Sequence, residues 1–169
     1  LRREVMKKPR SSYRRPIILT LVVVLVVMLA GVFILNRSIA PNARAENQAS
    51  SLAKKYAGVT EVSDVYWTNL HKTYYTVDGV NKEKQAVYVV VPQKGGNLVV
   101  LKQKDGLTRN QVLQRIWSSR NPKKVLRASI GIFNGKPAWV VTYLSQKGKL
   151  NYETIRFTTG KSLQKIINL

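Results

Sequence analysis

His71 is the one histidine among 169 residues, and cysteine is absent. The absence removes a thiol nucleophile, a thiolate metal site, a disulfide and a lipoprotein anchor. A metal site needs several converging ligands, and His71 is alone, reading as a polar residue near a strand end. Hydrolysis of the Ser-His-Asp kind would use that same His71, and no serine is framed by a nucleophile motif. The carboxylates beyond residue 16 are Glu46, Glu61, Asp64, Asp78, Glu83, Asp105 and Glu153. Glu61 and Asp64 are close, but an odd spacing on a strand sends them to opposite faces. Gly95-Gly96 carries no phosphate-loop lysine and reads as a turn. These residues predict a protein that is not an enzyme and needs no cofactor or metal.

Aromatic and basic residues remain. Tyr66 and Trp67 are neighbours on a predicted strand, as are Tyr74 and Tyr75, so one of each pair faces outward. Trp67, Trp117 and Trp139 are expected to fill cores, because aromatics bury the most area. The chain has 29 Lys and Arg against 8 Asp and Glu, a net charge of +21. Seven basic residues and one acid precede Ile17, leaving +15 on the remainder. A small domain needs a charge magnitude of only about 2–8 for solubility. Such a field attracts polyanions. Lys82, Lys84, Lys94, Lys102 and Lys104 gather in one half of the remainder, and Arg115, Arg120, Lys123, Lys124 and Arg127 in the other.

The elements that position these residues begin with an apolar run, residues 17–35, IILTLVVVLVVMLAGVFIL. At about 1.5 Å per residue it spans roughly 28 Å, the thickness of a bilayer's hydrocarbon core. Its 15 Val, Ile, Leu and Phe favour insertion by roughly 5–9 kcal/mol. The denser basic flank lies upstream, which predicts a cytoplasmic tail at 1–16 and an extracellular carboxyl-terminal part. Cleavage near Ala45, at Ala43-Arg44-Ala45, is the alternative to a retained anchor. On the outer side anionic lipid and teichoic acid are the available polyanions, and nucleic acid is not expected.

Residues 36–42 read as a linker, with Pro41 breaking any continuing helix. Ala45, Ala49, Leu52, Ala53 and Tyr56 then form one helical face. Strand patterns follow at 61–67, 73–77, 86–91 and 98–104, with Asp78-Gly79 and Gly95-Gly96 as turns. The order restarts with Thr108 as N-cap, a helical stripe of Val112, Leu113, Ile116 and Trp117, and strands at 125–133, 138–144 and 152–157. Asn134-Gly135 is a hairpin turn signal. Matching Asn47-Gln48 with Asn110-Gln111, 87–91 with 138–142, and 98–106 with 152–160 predicts a duplication, with extra residues in the first copy around 78–84. The predicted fold class is α+β: a transmembrane helix, then two tandem cystatin-like units, each a helix on an antiparallel sheet, at 43–106 and 107–169.

The anchor, LAKKYAGVTEVSDVYWTN at 52–69 and FNGKPAWVVTY at 133–143 resemble the TseB-like (YpmB) family of Gram-positive bacteria, with tandem PepSY-related, cystatin-like units. That resemblance implies regulation of cell-wall elongation beside an elongation-type penicillin-binding protein, and it carries no set of functional residues. The predicted function is an extracytoplasmic regulator or adaptor. The alternative is a polyanion-binding or protease-inhibiting PepSY-type module. The predicted contact elements are the exposed one of Tyr74 and Tyr75, and Lys82 and Lys84 on a basic loop that the second copy lacks.

Overall fold

The structure, a computed structural model, describes residues 14–167 and 169, with side chains at 16–33, 43–167 and 169. The predicted tail at 1–16 lies mostly outside them. The chain divides into two compact units, Leu1–Ala43 and Arg44–Leu169. Helix α1 (Arg14–Ala57) supplies the described secondary structure of the first and opens the second. Its segment Pro16–Phe33 is long and apolar enough to cross a membrane, and none of it is buried. Residues 36–42, expected as a linker, lie inside α1. Proline's fixed φ is itself helical, so Pro41 forfeits one backbone hydrogen bond without dictating a break.

Two antiparallel four-stranded meanders make up the rest. The first is β1 (Val59–Asn69), β2 (Thr73–Asn81), β3 (Ala86–Pro92) and β4 (Val99–Lys102), followed by a 3-10 turn at Gln103–Asp105. Helix α2 (Arg109–Arg120) leads into the second: β5 (Lys124–Phe133), β6 (Lys136–Leu144), β7 (Leu150–Arg156) and β8 (Ser162–Ile166). Thr108 caps α2 as expected, in a reciprocal box where its backbone N–H donates to Gln111 Oε1 at 2.8 Å. Asn134 and Gly135 take φ of 48° and 74°, as a tight hairpin requires.

The two sheets share one strand order, but their correspondence differs from the expected alignment. Pairs Thr76↔Val90 and Asp78↔Tyr88 of the first sheet correspond to Val140↔Thr154 and Thr142↔Tyr152 of the second, each 64 positions on. The sequence match had slipped by one strand, setting β3 against β6, because β8 went unrecognised. With the spacing constant, no extra residues stand at 78–84. The β2–β3 turn with Lys82 and Lys84 has its counterpart in the β6–β7 turn with Lys147 and Lys149.

Asp78-Gly79 is not a turn either. Both residues lie within β2, opposite Asp64 and Val62. β1 is irregular between Val62 and Asp64, and a Cβ on Gly79 would strike the Glu61 carbonyl oxygen. Glycine serves that close approach. The true turn is built by Asn81, whose side-chain oxygen accepts from the Glu83 and Gln85 N–H groups at 3.0 and 2.9 Å.

Two cores result. Ala49 and Ala53 of α1 pack on one face of the first sheet, against Tyr75, Val77, Val87, Val89 and Val91. Tyr56, expected on that face, is exposed. The second core joins Val112 and Ile116 of α2 to Ala128, Ile130, Trp139, Val141, Tyr143, Ile155 and Phe157, and it also takes Tyr66 and Tyr88 from the first sheet. Trp139 is fully buried and donates its indole N–H to Leu107 O at 2.8 Å. Of the three tryptophans expected in cores only Trp139 is there: Trp67 is 38% exposed and Trp117 48%. Trp117 follows Ile116 by about 100° of helical turn, which carries it off the buried stripe.

The first sheet is therefore covered on both faces. Its second face meets β5, an edge strand whose outward carbonyls need partners. Ile130 O accepts hydrogen bonds from the Thr68 and Thr76 hydroxyls at 3.1 and 2.7 Å.

Candidate functional site

The second sheet leaves open the face that the first sheet has covered. Strand alternation sends Trp139, Val141, Glu153 and Ile155 toward α2 and their neighbours outward. Two cross-strand rows make the outward floor. One runs Ser129–Val140–Thr154–Gln164, the other Arg127–Thr142–Tyr152–Ile166. The end of β1, Trp67 to Leu70, forms one wall, and Leu126 and Leu169 add apolar edges, giving a cleft of about 600 Å³. Leu126 is 48% exposed and Ile166 42%. The Arg127 guanidinium lies over the Trp67 ring, 5.0 Å from its centroid, a cation–π contact. Among the described residues no acidic side chain lines the cleft itself; Glu46 and Asp64 lie in the adjoining pocket that shares Trp67, Leu126, Arg127 and Ser129. Among the described residues, the hydroxyls of Ser129, Thr142 and Thr154 have no protein hydrogen-bond partner. The arrangement offers donors, a cation and apolar walls, a surface for binding.

Behind the floor, Glu153 is buried in the place that Val89 holds in the first sheet. Arg120, in the last turn of α2, grips it with two bonds: Nε to Oε2 at 2.7 Å and Nη2 to Oε1 at 3.0 Å. Burial pushes the Glu153 carboxyl up, but the hydrogen bonds of Arg120 and Ser162 and the charges of Arg120 and Lys165 outweigh it, leaving it below its ordinary value.

A half-buried carboxylate, Asp78, lies on the covered face of the first sheet. Tyr66 Oη donates to Asp78 Oδ2 at 3.0 Å and Gln103 Nε2 to Oδ1 at 2.6 Å. Burial raises the Asp78 carboxyl above the usual carboxylate range, and these two bonds recover only part of that shift. Burial, then the Asp78 charge, push Tyr88 up to about 12 and hold Tyr66 protonated as well.

Tyr75 lies in the first core, 4% exposed, and Tyr74 is half-buried on the other face. Lys82 and Lys84 are exposed on the β2–β3 turn, Lys84 with φ of 58°. These four residues do not line the cleft, so the structure does not bring them together with Trp67 and Arg127. His71 is exposed between β1 and β2, stacked on Phe133 at 5.8 Å. The cleft went unread in the sequence. Its alternating Ser and Thr were visible in the strands, but Trp67 and Arg127 come from different repeats.

Residues 48–92 match the family model described as the cell wall elongation regulator TseB-like domain. Over 146 residues the chain is 27% identical to the probable cell wall elongation regulator TseB of Bacillus subtilis (strain 168), covering 86% of this chain and 91% of that one. The solved structure of the YpmB protein from Bacillus subtilis aligns with a TM-score of 0.62 at 28% identity, over 72% of this chain and 95% of its own. The likeness to the TseB-like family thus rests on three findings: a match of the family's domain model to part of the chain, an alignment with a TseB over most of its length, and a fold similar to that of YpmB.

Proposed function

We propose that the chain is a membrane-anchored, extracytoplasmic regulator of cell-wall elongation that works by contact with a penicillin-binding synthase rather than by catalysis. The observation that carries this reading is the likeness, over most of the chain, to a protein named a probable cell wall elongation regulator. The unburied apolar segment Pro16–Phe33 supports the anchor. The upstream basic cluster supports an outward-facing carboxyl-terminal unit. A tether confines regulator and synthase to one thin layer and raises their effective concentration, so a modest interface is enough. The open cleft and the exposed turn of Lys82 and Lys84 are the surfaces for that contact. Attraction to teichoic acid or anionic lipid accompanies it and is screened over about 8–10 Å by physiological salt.

Complementation tests the proposal. In Bacillus subtilis lacking its TseB, the full chain should move wall-precursor incorporation along the cell cylinder toward the wild-type rate. A secreted version without residues 1–35 should restore less at equal abundance. Full rescue by the untethered version would remove the anchor from the account, and no rescue by a correctly localised full chain would remove the regulatory reading.

A further inference from the structure

The repeat itself indicates what the open face receives. In the first sheet the equivalent face is occupied by an extended strand, β5, whose Ile130 carbonyl takes hydrogen bonds from Thr68 and Thr76. In the second sheet, 64 positions on, Thr142 stands for Asp78, Tyr152 for Tyr88 and Thr154 for Val90. This face keeps hydroxyls and an aromatic, but among the described residues only the end of β1 borders it, and its outer row, with Thr142, Tyr152 and Ile166, is accessible. We propose that the cleft binds an extended segment of a partner protein, carrying aliphatic side chains and at least one carboxylate.

Each part of that description answers to a named feature. The Thr142 hydroxyl is partly exposed on the floor and is placed to donate to a backbone carbonyl, as Thr68 and Thr76 do for β5, with Ser129 and Thr154, each 3% exposed, lying deeper beneath it. Leu126, Ile166 and Leu169 are exposed apolar edges for aliphatic side chains. Arg127 is exposed and held in orientation by Trp67; Glu46 and Asp64 lie in the adjoining pocket that it also lines, but neither forms an ion pair with it. A carboxylate there makes a charge-assisted hydrogen bond. Four strands at about 4.8 Å spacing give a floor roughly 14 Å wide, the length of about four extended residues.

The inference rests on reading the chain as a contact-making regulator, but it has its own test. The full chain, in lipid nanodiscs, is passed over an array of ten-residue synthetic peptides of identical composition, acidic and aliphatic. In one set the aliphatic residues alternate with polar ones, and in the other they are clustered. The alternating set should be retained at least tenfold better. Arg127→Glu should lower that retention at least tenfold, whereas Lys124→Glu, the same charge change outside the cleft, should alter it less than twofold. The pair Thr142→Val and Thr154→Val should weaken it several-fold with an unchanged circular dichroism spectrum. Equal retention of both sets would reduce the effect to bulk charge attraction and overturn the proposal. So would displacement of the peptides by soluble wall-glycan fragments, or indifference to Arg127→Glu. Any of these results would leave the regulatory role to another surface.

Discussion

Removing the Arg120 side chain tests how the second repeat tolerates an acid in its core. Arg120→Ala leaves Glu153, with only 4% of its side chain accessible, without its bidentate partner. Breaking a fully buried pair costs about 3–5 kcal/mol, because the surviving charge stays desolvated. Arg120 is itself 30% exposed, so water recovers part of the loss, and about 2–3 kcal/mol is expected at pH 7. For a unit of this size that lowers Tm by roughly 10 °C. The pH dependence gives a second handle. In the parent the Glu153 carboxyl is lowered, so its contribution is present above the ordinary value of about 4.3 and is lost as pH falls through the folded value. In Arg120→Ala burial is opposed only by the Ser162 hydrogen bond and the Lys165 charge, so the carboxyl lies higher than in the parent and that variant loses less stability as pH falls toward the same range. The difference between the two must therefore shrink between pH 7 and 4.5. Urea unfolding of the full chain in mild detergent, followed by near-ultraviolet circular dichroism, measures it. Adding Glu153→Val, which reproduces Val89 of the first repeat, should restore most of the lost stability. A cost below about 0.5 kcal/mol at pH 7, or a cost that does not diminish on acidification, would refute the reasoning.

Three further substitutions probe the join between the repeats. Asp78 has a raised carboxyl, so its contribution to stability falls as pH rises through the window above about 3.9; Asp78→Asn should be at least as stable at pH 7 and show a flatter stability–pH curve by urea titration. Thr76→Val should cost about 1 kcal/mol in the same assay, and Thr68→Val with Thr76→Val about 2–3 kcal/mol, since the Ile130 carbonyl then loses both donors.

Much of the local structure was legible because it depends on near neighbours. The Thr108 cap, the Asn134-Gly135 turn and seven of the eight strands follow from alternation and turn chemistry. β8 was missed because Ser162–Ile166 is an edge strand that is mostly exposed, and it lacks the apolar alternation that marks an inner strand. Losing it shifted the internal alignment by one strand and produced an insertion at 78–84 that does not exist. Asp78-Gly79 misled for the opposite reason. Its local turn preference is overridden by tertiary partners: Tyr66 and Gln103 satisfy the acid, and the Glu61 carbonyl leaves no room for a Cβ. The cleft was illegible as a site because no single segment contains it. Alternation shows that Thr142 and Tyr152 share a face, but only the packing of the repeats shows that the first sheet's face is covered and the second's is open.

Photo-crosslinking in living cells tests the central claim most directly. A photoreactive side chain at Thr142, in the cleft floor, should yield an adduct whose mass map identifies an elongation-type penicillin-binding protein. The same probe at Val77, in the first core, should yield none. Arg127→Glu should abolish the Thr142 adduct while protein level and membrane recovery stay constant. Adducts at Thr142 confined to wall glycan, teichoic acid or other copies of the chain would contradict the account.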